Sequence, residues 1–154
     1  MEKYLFTIST KTSTSLICFQ DDWPNTKAYY LVQTYTTAAT LGLRANIWYS
    51  LKGWRGSGLI DQNGMPTPAY QALVFNNQEL LTATPWGEVT LYSGVKGFAF
   101  QRDGRLLWIL WSLDGQDHSI PLGSTPGAVY DIYGESLTPD ENITITLSPI
   151  YIEW

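Results

Sequence analysis

The chain is poor in the residues from which most active sites are built. Cys18 is the single cysteine among 154 residues, so neither an internal disulfide nor a cysteine-based metal site is available. It lies in the apolar run Leu16 to Phe19 and reads as a buried, inert thiol. His118 is also alone; following Asp117 beside a turn, it reads as a solvated turn residue rather than a ligand or base. Charge is scarce, at 15% of residues, with nine Lys and Arg against fourteen Asp and Glu, a net charge of −5 and a pI near 4.6. The basic residues are scattered singly, which argues against nucleic acid and against an anionic membrane as partners. No run approaches the ~20 apolar residues of a membrane span, and the first eighteen residues mix Glu2 and Lys3 with Thr and Ser instead of forming the apolar core of a signal peptide. The expectation is a soluble chain with no signal peptide or transmembrane segment, no cofactor and no metal. For Glu135, Asp140 and Glu141 a solvated acidic edge is favoured over a loop calcium site. A further absence bears on chemistry: between Glu2 and Asp21 no acidic residue occurs.

What is abundant is apolar and aromatic, 44% and 14% of residues, enough for a sizeable core. The stretch from Leu43 to Tyr70 organises the rest. Leu43 to Leu51 carries apolar residues on both parities, including Ile47, Trp48 and Tyr49, and predicts a strand covered on both faces. Gly53 to Gly58 is a glycine-rich loop around Trp54 and Arg55. Asn63-Gly64 supplies a turn, and Pro68 suits the first turn of a helix running AYQALVFNNQELL. Upstream, Tyr4 to Ser9 and Ser15 to Phe19 are β-prone. Asp21 and Asp22 then offer capping carboxylates for a helix whose apolar residues recur at Ala28, Leu31, Val32, Tyr35 and Ala39 before Gly42. Strand, helix and strand make a right-handed βαβ unit.

From about Thr82 the period changes to two. Strands are expected at Val89–Tyr92, Gly97–Gln101, Leu106–Leu113, His118–Leu122, Ala128–Tyr133, Ile143–Leu147 and Ile150–Glu153, with Asp103-Gly104 and Asp114-Gly115 as hairpin turns. Trp108 and Trp111 have opposite parity on one strand, as do Tyr130 and Tyr133. Phe98, Phe100, Leu107, Ile109, Trp111, Val129, Ile132, Ile145 and Leu147 are the candidate core of a sandwich. The fold class is therefore α+β: a βαβα unit over residues 1–81, which the resemblance that follows makes a partial (β/α) barrel remnant, and an antiparallel β-sandwich over 82–154.

The run through Trp48, Tyr49, Gly53, Trp54, Ser57, Gly58, Leu59, Asp61, Gly64, Pro66, Pro68, Ala69 and Tyr70 resembles the end of the barrel in clan A glycoside hydrolases, the retaining (β/α)8 glycosidases. The closing SPIYIEW looks like the β-sandwich that often follows such barrels. The resemblance implies strand 7, helix 7, strand 8 and helix 8, and not a whole barrel, which takes roughly 250 residues. It also implies a nucleophilic glutamate at the end of strand 7, near Thr10 or Ser13 in the two possible registers. Both lie in the acid-free stretch. The acid/base of strand 4 has no counterpart either. Two carboxylates about 5 Å apart are required for retaining hydrolysis, so no catalytic residue is assigned. Asp61, Asp103 and Asp114 adjoin turns and are expected there on conformational grounds.

In the resembling enzymes the strand 8 tryptophan forms a platform under a sugar ring. Trp48, Trp54 and Arg55 are accordingly the candidate substrate-binding residues, indoles for pyranose C–H faces and the guanidinium for hydroxyls. The plainer reading makes both indoles core or interface fillers. The expected function is a non-catalytic C-terminal part of a glycoside hydrolase with a carbohydrate-related or structural role. Alternatives are part of an active glycosidase completed by another chain, or a self-associating protein with no sugar ligand. Expected partners are a second copy, a carbohydrate, or a chain carrying the rest of the barrel.

Overall fold

A computed structural model describes residues 22–43, 45–48, 50–53 and 56–154. The strands expected within 4–19, Cys18, the capping candidate Asp21, Tyr49 of the expected strand, and the loop residues Trp54 and Arg55 lie outside the described residues.

Helix α1 (Trp23–Thr40) starts after Asp22 with Pro24 in its first turn, where a missing N–H is no loss. Of the two expected capping carboxylates, Asp22 is not used that way. The Asp22 carboxylate accepts from the Asn25 side-chain amide at 2.6 Å and caps no backbone N–H, while its backbone carbonyl accepts the first helical bond from Thr26 N at 3.0 Å; Pro24, at the second helical position, has no N–H for it. Gly42 ends the helix at φ 70°, and Gly42 N and Leu43 N donate back to Ala39 O (3.1 Å) and Ala38 O (3.0 Å). This is a Schellman stop, which favours glycine because a side chain is strained at that φ. Helix α2 (Pro68–Leu80) has Pro68 in its first turn, as expected.

The strand expected at Leu43–Leu51 is not formed among the described residues. Its one bridge nearby joins Lys52 to Ile60, and Ile47 is 85% exposed. Apolar residues of both parities supply the composition of a buried strand, but a strand also needs a neighbour to share its hydrogen bonds, and no described segment lies alongside.

The C-terminal half forms a six-stranded antiparallel sheet in the order β1-β2-β3-β8-β5-β6 and a two-stranded ribbon β4-β7. The strands are β1 (Thr84–Glu88), β2 (Val95–Arg102), β3 (Arg105–Ser112), β4 (His118–Pro121), β5 (Ala128–Tyr130), β6 (Ser136–Leu137), β7 (Asn142–Ile145) and β8 (Ile150–Glu153). Asp103 (φ 51°) and Gly104 (φ 80°) make the β2–β3 turn, whose positive φ values match the right-handed strand twist. Three expectations are corrected. The first strand lies at Thr84–Glu88 and not at Val89–Tyr92: Pro85 sits on an edge strand, where its missing N–H is tolerated. Asp114-Gly115 is a turn but not a hairpin, since β3 is already paired on both sides, by β2 and β8, and β4 pairs β7 instead. His118 is not a solvated turn residue; it opens β4, half-buried, with Nε2 2.8 Å from Asp114 Oδ1.

Strand alternation divides the core between the two faces of the sheet. Phe98, Phe100, Leu107, Ile109, Trp111 and Tyr151 meet Leu31 and Val32 of α1 and Ala69 and Ala72 of α2. Ala99, Leu110, Val129, Ile150 and Ile152 lie beneath Ile120, Leu122 and Ile145. The candidate core residues are thus split. Val129 and Ile145 belong to the ribbon side, Ile132 and the others to the helix side, and Leu147 is half-buried in neither cluster. Trp111 faces the helices while Trp108 packs on the ribbon side, as their parity requires. Tyr130 and Tyr133 nevertheless share the helix side, because β5 ends at Tyr130 and the following turn re-aims Tyr133.

Residues 81 and 82 form the turn between α2 and β1, and the helix-side cluster draws on both flanking segments. Polar contacts tie the same layers. Arg102 of β2 bridges Glu79 of α2 and Glu153 of β8. The fully buried Asn76 accepts from Tyr151 OH (2.8 Å) and Thr36 Oγ1 (3.2 Å).

Candidate functional site

The glycine-rich loop is pinched at its base. A Cβ on Gly53 would collide with Gly58 N, and one on Gly58 with Gly53 N. Only glycine permits the two backbones to approach so closely. Leu51 O accepts from both Leu59 N (2.9 Å) and Ile60 N (3.0 Å), and Thr67 Oγ1 donates to Leu59 O at 2.8 Å. The neck is therefore sewn to the start of α2.

A closed loop leaves carbonyls that need donors, and two side chains supply them. Lys27 of α1 is only 4% exposed and donates from Nζ to Gly56 O (2.7 Å) and Gly58 O (2.6 Å). Burial pulls its pKa below the usual lysine value. Trp48 donates from Nε1 to Ser57 O at 3.1 Å, half-buried against the helix-side cluster. Trp48 thus stands at the base of the loop with its indole N–H engaged. Trp54 and Arg55 lie in the loop that Lys27 and Trp48 hold, but outside the described residues. Lys27 is absent from the sequence reading because it neighbours the apolar Ala28 on a helix whose other face looks solvated. The unmet carbonyls of the loop are the only signal that would have pointed to it.

Asp61 is the loop's nearby carboxylate, and its Oδ1 accepts from Asn63 N and Met65 N, both at 2.8 Å. It holds the Asn63-Gly64 turn. Glu135, Asp140 and Glu141 are exposed, and Asp140 accepts from Asn142 N at 2.9 Å. Among the described residues no three His, Cys, Asp or Glu side chains converge to hold a metal ion, and no helix is long and apolar enough to cross a membrane.

A second feature lies under the segment that follows α1. A cavity of about 310 Å³ is lined by Tyr35, Ala38, Ala39, Asn46 and Asn76 among others. The side-chain amide nitrogens of Asn46 and Asn76 are buried without a partner among the described residues. Each is a donor awaiting an acceptor.

No sequence-family model matches the chain, and no curated protein does. Its fold does have solved counterparts. A family 39 glycoside hydrolase from the gut symbiont Bacteroides cellulosilyticus WH2 matches with a TM-score of 0.65 at 21% identity, over 81% of this chain and 29% of that one. The chain has a glycoside hydrolase-like fold. At that identity the likeness is one of fold alone, and the chain spans less than a third of that enzyme's length.

Proposed function

We propose that the chain is the C-terminal part of a glycoside hydrolase, a barrel remnant followed by a β-sandwich, with a carbohydrate-related or structural role and no hydrolysis of its own. The observation that carries this reading is the use of the carboxylate nearest the candidate loop. Asp61 is bound to its own turn, and no second acid stands beside it in the loop to complete a retaining pair. Trp48, Trp54 and Arg55 would then serve to bind or position rather than to react. Assay of the purified chain on aryl glycosides of several sugars tests it: no turnover is expected. Turnover abolished by a point change at one of this chain's own acidic residues would overturn it.

A second reading is that another chain carrying the rest of the barrel completes an active glycosidase. It is favoured by the amides of Asn46 and Asn76, unpartnered among the described residues, beside a segment whose described residues 45–48 belong to no strand, where a neighbouring strand's carbonyls would fit. Leu41, Leu43, Ile47 and Leu51 are also exposed, and surfaces of this kind recruit partners. In the absence of such a chain a second copy takes that place, giving a homo-oligomer. Light scattering at low micromolar concentration should show a dimer that Ile47→Asp dissociates. A monomer for the unsubstituted protein would remove the oligomer from this account.

A further inference from the structure

The ribbon β4-β7 covers only part of its face of the large sheet. Beyond the cover, β1, β2 and β3 and the turn after β1 enclose an open groove of about 490 Å³, lined by Trp86, Val89, Leu91, Ala99, Leu106 and Trp108, with Thr90 and Gln101 among the polar lining residues. Its floor is fixed. Val89 and Ala99 are buried, and Trp108 is braced edge-on against Trp154 with ring centroids 5.0 Å apart. Trp86 is 69% exposed and lies in the irregularity between Pro85 and Gly87, where β1 carries one residue more than β2 opposite. A bulge of this kind re-aims a side chain.

We propose that this groove binds a neutral saccharide, with a pyranose ring against the Trp86 indole and its hydroxyls within reach of Gln101 and Thr90. Three observations select that ligand. An exposed indole beside a second, rigidly held one offers flat apolar surface of the kind a sugar's C–H face covers. The groove's charged lining residues already have partners of opposite sign, Glu88 with Lys96 and Arg105 with Glu153 at 3.7 Å, so nothing in it calls for an ionic ligand. The edge is also ill suited to an added peptide strand, since Pro85 lacks an N–H and the bulge interrupts the ladder. The inference rests on the carbohydrate-related reading and moves the binding surface from the loop of Trp54 to the sheet.

Calorimetric titration of the full chain with cellohexaose, xylohexaose and mannohexaose, and with hexagalacturonate as the charged control, tests it. At least one neutral oligosaccharide should bind with a millimolar or tighter Kd. Trp86→Ala should weaken that binding about tenfold or more, and Gln101→Ala about threefold. Both side chains are exposed, so the melting temperature should stay put in both variants. Unchanged binding in Trp86→Ala together with loss in Trp48→Ala would overturn the groove and leave the carbohydrate-related reading standing. No binding of any neutral hexasaccharide would overturn the groove and the carbohydrate-related reading together. Preference for hexagalacturonate, or a dimer that Trp86→Ala dissociates, would assign the groove to another occupant.

Discussion

The two halves of the molecule satisfy their backbones in different ways. In the sheet, N–H and C=O groups meet in antiparallel ladders, β2 against β3 over every residue from Val95 to Arg102. Side chains there are left free to pack the two faces. Among the described residues from 43 to 67 the only ladder is two isolated bridges and a few turn bonds, and side chains supplement them: Lys27 serves Gly56 and Gly58, Trp48 serves Ser57, and Thr67 serves Leu59. A ladder spreads its stability over many equivalent bonds, whereas a clamped loop depends on a few named donors. The second design suits a segment that presents side chains to a ligand, and it is the more easily broken.

The largest effect is expected where the two halves share a core. Phe100 is fully buried between the sheet and the helices, and Phe100→Ala should cost about 3–5 kcal/mol. Helical and near-ultraviolet dichroism should melt together, because one cluster serves both layers. Ile145→Ala, on the ribbon side, should cost about 2–4 kcal/mol. If the far-ultraviolet and near-ultraviolet transitions separate, the shared core is not what joins the halves.

Next comes the loop. Lys27→Met keeps the apolar stem but removes the donor to two carbonyls, and a loss of about 2–3 kcal/mol is expected. Limited proteolysis between residues 53 and 58 should accelerate more than cleavage in the β2–β3 turn. Equal acceleration at both places would show that the clamp is not local.

The smallest effect concerns acid. Hydrogen bonds with His118, Gln116 N and Ser112 Oγ pull the Asp114 carboxyl down to about 2. With the folded pKa below the unfolded one, Asp114 contributes stability above about pH 4, and the contribution is lost as pH falls toward about 2. Asp114→Asn should flatten the melting temperature over that window and change little near neutrality. An acid limb that stays equally steep would place its cause elsewhere.

Much of this was legible residue by residue. Pro24 and Gly42 bracket α1 and Pro68 opens α2, because helix ends depend on the φ of one or two residues and on N–H groups within a turn of them. Asp103-Gly104 names its hairpin for the same reason. Leu43–Leu51 misled because composition specifies how buried a strand would be, not whether a neighbour exists. Asp114-Gly115 misled because a turn sequence does not say whether the strands on either side are already paired.

For the candidate site the division falls in the same place. Glycines at 53 and 58 are enough to announce a tight loop, and the lack of acid between Glu2 and Asp21 is plain in the chain itself. That Lys27, some thirty residues earlier, should hold this loop, and that Trp86 and Trp108 should line one groove, are matters of which distant segments pack together. Local geometry is set by neighbours along the chain and can be read there. Pairing and burial are set by contacts between remote segments, whose loop-closure cost is met only when the whole core forms, and so only the tertiary structure decided them.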